Sequence, residues 1–376
     1  MREVYLVDCR RTPIGVSGGS LRYTPPEKLA AAVMTKLWND ANRPHVDAII
    51  GGNAVGTGGN LTRLGALYSE LPESIPAWTL DMQCASALTA ISTGYAQIAA
   101  GIHEIIIAGG MESASLQPLR TYAPNDERQG SYKTAQFSPG EIAADAMLRG
   151  AERAVQTLGA TREELDELAL QSHQRALANA KTNTLKDWLV SVPELASDEC
   201  LRPRMRLQLL QRLPLLLGPG THITAGNACL IHDGAAFAML AGQEAIERYC
   251  LRPLAKIIAV AQGASDPLLS PLGVKHVSTL ALQAAHLQMD DMDTIEWNEA
   301  FAIIDYLFAR SYPQLVDRYN PLGGALAYGH PYGASGAIIL THLLARLHAI
   351  KGRYGLCAIA GAGGTGCAII VERCHE

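Results

Sequence analysis

The chain has 376 residues, 48% hydrophobic and 18% charged, and its 31 Lys and Arg against 36 Asp and Glu leave a net charge of -5. At about 150 residues per domain, this length implies two or three lobes or one large doubled fold with a deep core. The charge balance offers no positive field for a polyanion, which argues against nucleic acid as a partner.

In chain order, residues 4–8 read as a buried strand, and residues 44–50 lead into a second that ends at Gly51-Gly52. Charges at Arg2, Glu3, Asp8 and Arg10 interrupt any signal-peptide core, which argues against export. Further strands are predicted over 76–82 and 104–108. Between them, residues 84–100 form a helix with hardly a polar face, one that protein must enclose on all sides.

Residues 119–218 change character. A helix over 161–182 carries acids early and bases late, as the helix dipole favours, and Pro193, Pro203 and Pro214 punctuate the residues after it. This stretch reads as an inserted lobe covering a site formed by its neighbours.

The early order then returns. Residues 320–331 are a Gly-rich loop, 333–350 a second helix with few charges, and 354–360 an apolar strand ending in glycines. Ala85-Ser86-Ala87-Leu88 resembles Ala334-Ser335-Gly336-Ala337, which points to a duplicated strand–helix–strand unit. Residues 82–102 and 319–345 lack formal charge, yet their Gly, Ser, Thr, Asn and His content fits packed soluble segments rather than membrane spans.

The eight cysteines contain no CxxC pair and suit reduced thiols, hence a cytoplasmic protein. Cys84 follows a strand and opens the enclosed helix, where unpaired amides and the dipole favour a thiolate and so a nucleophile. A small core thiol is the plainer alternative.

His330 lies in GGALAYGHPYGASGA, where five glycines admit a ligand close to the backbone and Pro331 restricts the histidine. It is a candidate base or carbonyl polariser beside the plain reading of a hydrogen-bonded loop residue. Asn298, in Trp297-Asn298-Glu299-Ala300-Phe301-Ala302, reads either as a helix cap or as an amide that donates to an oxyanion. The Gly-rich run 51–59 lacks a Walker Lys and reads as a turn. Cys229, His232 and Asp233 lack a second pair at ligand spacing, and no metal is expected.

Together these motifs resemble the thiolase family of acyl-CoA acyltransferases. DCRRTPIG opens the match, followed by the Cys84 segment, GGMES, ALQSHQRA, TAGNA, DGAA, NEAFA and the His330 loop, so that it runs over nearly the whole chain. The resemblance implies an α/β, five-layered αβαβα fold from two similar halves, 1–118 with 219–250 and 251–376, and an inserted loop domain at 119–218.

It also implies that Cys84 carries the acyl group as a thioester. Asn298 and His330 would bind the thioester oxygen, His330 would activate the nucleophile, and the backbone of Cys84 and Ala362 would form a second oxyanion hole. Met147, Arg202, Ala225, Ala300 and Phe301 fall on substrate-binding positions, and coenzyme A is a substrate with no resident cofactor. The segment from Arg120 to Asp145 is shorter than in tetrameric members, which favours a homodimer over a tetramer.

One departure is large. The family's second cysteine, the acid and base of the C–C bond step, falls on Ala360 in AIAGAGGTG. Cys357 lies an odd number of residues away on the same strand, hence on its other face, and Cys367 lies beyond the glycine turn. The serine after TAGNA is Cys229, and Ala146 stands where many members have His. Three readings remain open: forming or cleaving a 3-oxoacyl-CoA, acyl transfer or thioester hydrolysis without C–C chemistry, and a catalytically weak acyl-CoA-binding homologue.

Overall fold

The computed structural model describes residues 2–140 and 144–374. Met1, residues 375–376 and residues 141–143 of the predicted loop domain lie outside the described residues.

The strands are β1 (Val4–Arg11), β2 (Ala48–Gly52), β3 (Ala77–Leu80), β4 (Ile105–Ser113), β5 (His232–Gly242), β6 (Ala255–Ala264), β7 (Thr294–Trp297), β8 (Tyr354–Ala360) and β9 (Thr365–Arg373). They form one sheet in the order β7-β8-β9-β6-β1-β5-β4-β2-β3, with Gly15–Val16 added beside β5. The duplication is visible in the pairing. β2-β4-β5-β1 runs parallel, antiparallel, antiparallel, and so does β7-β8-β9-β6. The two sets meet where β1 pairs with β6 through Tyr5 and Leu6, and β3 is an extra edge on the first.

Alternation along these strands sorts the core into layers. Ile49, Ile105, Ile107, Phe237 and Met239 face outward under α1 (Pro26–Asp40) and α2 (Leu61–Tyr68). Ile50, Ile106, Ala108 and Leu240 face inward, and Cys357, Ile359 and Ile369 of the second set meet them across α3 (Ser86–Ala99) and the second central helix. Leu356, Ala358, Ala360 and Ile370 face the opposite way. There they pack under α4 (Ala146–Leu158), α5 (Arg162–Thr182), α6 (Gly273–Ala285) and α7 (Ala302–Ser311). With α8 (Ser335–Ala349) beside α3 in the middle, helix, sheet, helix, sheet and helix stack as five layers.

The central pair explains the missing polar faces. α3 and α8 are apolar nearly all round because sheet covers them on both sides and each covers the other. A Cβ at Gly336 of α8 would lie 2.5 Å from the Leu88 backbone nitrogen of α3, so only glycine allows this approach. α5 begins as its sequence predicts: Thr161 caps it, and Glu164 reaches back to complete a capping box.

Candidate active site

Cys84 owes its position to a sharp turn between β3 and α3. Gln83 adopts φ 53°, in the left-handed region that non-glycine residues seldom enter. The Ser86 hydroxyl secures the turn, accepting from the Met82 N–H at 2.8 Å and donating to the Gln83 carbonyl at 2.6 Å. The thiol remains half-buried. Its sulfur faces its own N–H and the Ala362 N–H from the loop between β8 and β9. That loop approaches because residue 361 is glycine: a Cβ there would lie 2.9 Å from the Met82 carbonyl oxygen.

The expected resting thiolate is not found. Burial pushes the Cys84 thiol up to about 12, and the charges of Glu112 and Asp81 act in the same direction against the two N–H groups. Desolvation here outweighs the helix dipole, so Cys84 rests as a thiol and needs a base.

His330 is 1% exposed, and burial pushes its imidazole down to about 3, leaving it neutral. The Ser335 hydroxyl donates to the Pro331 carbonyl at 3.0 Å, so it accepts from Nδ1–H of His330, 2.5 Å away. Nε2 therefore carries the lone pair, and the Asn298 amide Nδ2 faces it at 3.4 Å. Asn298 is not a cap. It lies between β7 and α7, whose N-cap is Phe301, and its amide oxygen has no partner among the described residues.

A strip from 227 to 230 ties these segments together. The Cys229 N–H donates to the Ala300 carbonyl at 2.9 Å, the Ala302 N–H to Asn227 at 2.9 Å, and the His330 N–H to Leu230 at 3.0 Å. α5 adds a second tie: Ser172 donates to the Glu299 carboxylate at 2.5 Å and accepts from the Gly324 N–H at 3.1 Å. The Tyr332 ring lies edge-on to His330 at 4.9 Å, and its phenol senses both Cys229 and Cys84.

Four loops thus supply two pairs, Cys84 with Ala362 and Asn298 with His330, and Tyr332, edge-on to His330 and sensing the Cys84 and Cys229 thiols, connects them. Phe301 and Ala300 are buried in the cluster that includes Ala360, with Met147 half-buried against that cluster. Ala225 lies exposed on the loop that leads to Cys229. Arg202 is set apart, lining a surface cavity of about 380 Å³ with Pro203, Arg204, Met205, Leu209 and Leu213. The Gly-rich turn after β2 holds no phosphate-like site of its own, since the Glu112 carboxylate accepts from Ala54, Val55 and Gly333 N–H groups and the Asn53 amide. Glu112, Ser172, Tyr332 and Ser335 were given no role by sequence, although all four stand inside motifs that were singled out.

A doubled α/β fold with a thiol from one half and an imidazole from the other defines an enzyme of acyl transfer. Comparison with known proteins agrees: the thiolase N-terminal domain matches residues 4–244 and the thiolase C-terminal domain residues 251–373. The chain belongs to the thiolase family and is an acyl-CoA acyltransferase of that type.

It is 33% identical over 391 residues to a steroid 3-ketoacyl-CoA thiolase of Mycobacterium tuberculosis, covering 99% of this chain and 95% of that one. It is 35% identical over 400 residues to a β-ketoadipyl-CoA thiolase of Acinetobacter baylyi, covering 99% and 100%. The crystal structure of human mitochondrial 3-ketoacyl-CoA thiolase in complex with CoA superposes with a TM-score of 0.93 at 29% identity, over 100% of this chain and 98% of that one.

Proposed function

We propose that Cys84 carries the acyl group between coenzyme A and its acceptor, and that His330 is the base that activates it. The neutral imidazole with Nε2 free supports this reading, because a resting thiol requires such an acceptor. Nε2 takes the thiol proton as the sulfur attacks the acyl-CoA carbonyl. The imidazolium then returns the proton to the CoA sulfur as the C–S bond breaks, leaving acyl-Cys84 and free CoA. The Asn298 amide and, once it carries the thiol proton, the Nε2–H of His330 bind the thioester oxygen, and the N–H groups of Cys84 and Ala362 stabilise the tetrahedral oxyanion.

Met147, Ala225, Ala300 and Phe301 line the pantetheine path, and Arg202 meets the nucleotide end. The mixed arginine and leucine lining of its cavity suits a phosphorylated nucleotide. Coenzyme A is substrate here, not a resident cofactor. A second reading, acyl transfer or thioester hydrolysis without C–C chemistry, is supported by the resemblance, which puts Ala360, a residue that cannot titrate, where the family's acid/base cysteine falls.

Incubation with acetyl-CoA and intact-mass analysis tests the carrier. Wild type gains one acetyl group and releases CoA, and Cys84→Ala gains none. An adduct that persists on Cys84→Ala overturns the assignment.

The working unit is a homodimer in this reading. β3 is an edge strand with every residue half-exposed, including Trp78, and it leads directly into the Cys84 turn. Trp78→Asp is expected to convert the dimer to monomer by light scattering; a wild-type monomer refutes it. The cysteines are free thiols, which suits a cytoplasmic location; no helix among the described residues is long and apolar enough to cross a membrane.

A further inference from the structure

The C–C step of a thiolase moves a proton at the acyl α-carbon, and Ala360 cannot hold one. The cysteines can be sorted by where their sulfurs lie. Cys367 is fully buried and directed at the Thr89 and Ser92 hydroxyls of α3, and Cys357 is fully buried on the same inner face. Ala360 belongs to the opposite face, so strand alternation excludes both.

Cys9 is bonded to Thr341 in the central layer, and Cys200 faces the Ile14 carbonyl. Cys250 follows residues 243–248 at the surface, and Cys374 is tied to Leu254 at the chain's end. Cys229 remains. It is half-buried, packs against the cluster that contains Ala360, Ala300 and Phe301, and sits on the strip bonded to both the Asn298 and the His330 segments.

We propose that Cys229 is the proton-transfer residue of the C–C step, standing in from the neighbouring loop for the thiol that position 360 lacks. Burial pushes the Cys229 thiol up, so it too rests protonated, and the charge of Cys84 acts in the same direction, which places the two sulfurs in one electrostatic environment. In the synthetic direction the Cys229 thiol first gives its proton to Nε2 of the neutral His330, and the thiolate so formed takes a proton from the methyl carbon of acetyl-CoA. The carbanion attacks the acyl-Cys84 carbonyl, the new C–C bond forms, and the C–S bond to Cys84 breaks. The His330 imidazolium then returns its proton to the Cys84 thiolate, so a 3-oxoacyl-CoA is released, Cys84 and Cys229 are both again thiols and His330 is again neutral. Thiolysis is the reverse. Tyr332, beside His330, is the rival group; burial raises both its phenol and the Cys229 thiol, and the phenol starts about 1.5 pK units higher.

The inference rests on Cys84 as the acyl carrier, and the test separates the two. Wild type, Cys229→Ser and Tyr332→Phe are compared in three readouts: acetylation of Cys84 by intact mass, thiolysis of acetoacetyl-CoA by CoA, and wash-in of deuterium from D2O into the methyl of acetyl-CoA. Cys229→Ser is expected to form the Cys84 adduct, which also reports its folding, while thiolysis and wash-in fall by about 100-fold or more.

Wild-type rates of thiolysis and wash-in in Cys229→Ser overturn the proposal. So does the same loss in Tyr332→Phe with Cys229→Ser unaffected, or a wild type that acetylates but neither thiolyses nor exchanges. Failure of wild type to acetylate overturns the carrier reading instead. If Cys229→Ser does not fold, Cys229→Ala is read in the same assays.

Discussion

Ser335 is the support on which the chemistry of His330 depends, and removing its hydroxyl isolates that support. Both residues are buried, 3% and 1% exposed. The hydroxyl spends its one proton on the Pro331 carbonyl, so its oxygen must accept from Nδ1–H, and this chain of two bonds selects the tautomer with Nε2 free. In Ser335→Ala the ring either leaves Nδ1–H unpaired in a buried place or turns to the other tautomer, in which Nε2 can no longer accept. An unpaired buried donor costs about 1–3 kcal/mol, which is about 5- to 150-fold in rate if it falls on the acylation step.

The assay is single-turnover release of CoA from acetyl-CoA, followed from pH 6 to 9, with thermal unfolding as a control. The rate constant is expected to drop within that range while half-saturation changes little, because Ser335 is held by His330 and Pro331 rather than facing the substrate. A variant that folds normally and acylates within twofold of wild type refutes both the tautomer and its role.

Two further outcomes test other parts of the structure. Ala360→Cys adds a thiol to the face that already carries Ala300 and Phe301, so thiolysis of acetoacetyl-CoA is expected to rise. In the Cys229→Ser background it is expected to recover at least tenfold, a gain within the range of one acid–base group; unchanged thiolysis in a variant that still acetylates refutes this.

The pH dependence of stability has two opposed sources. Burial pushes His330 and His342 down to about 3 and His173 to about 4, so below the ordinary 6.5 the unfolded chain takes up protons that the folded chain refuses, and stability falls with acid. Glu112, raised to about 7, and Glu296 and Asp305, raised well above the carboxylate range, keep protons in the folded chain that the unfolded chain releases above about 4.5, so stability falls with base. The sets oppose each other between about pH 4.5 and 6.5. Thermal unfolding at fixed ionic strength is expected to show a broad maximum there and a decline on either side; a steady rise from pH 4.5 to 8 refutes it.

Much of this protein was legible in residue order. The strand at 354–360 and the helix at 162–182 fall where periodicity and capping put them, because both depend on neighbours a few residues away. The repeated order of strand, helix and strand foretold two halves with the same pairing, and alternation alone turned Cys357 away from Ala360. The identities of Cys84, Asn298, His330 and Ala362, with their motifs, also belonged to the sequence.

What only the tertiary structure decided is which groups meet and in what protonation state. The helix position of Cys84 suggested a thiolate, but the fold buries it, Glu112 of β4 adds its charge to that of the adjacent Asp81, and desolvation outweighs the local dipole. The run at 51–59 read as a turn from its sequence, but only the fold shows that the Glu112 carboxyl of the neighbouring strand holds it by accepting from the Ala54 and Val55 N–H groups. Cys229 looked like one small change in a pocket, and its significance depends on a strip that bonds to two distant loops. Local geometry is set by adjacent residues; charge state and partnership are set by whatever the fold packs against them, and that comes from hundreds of residues away.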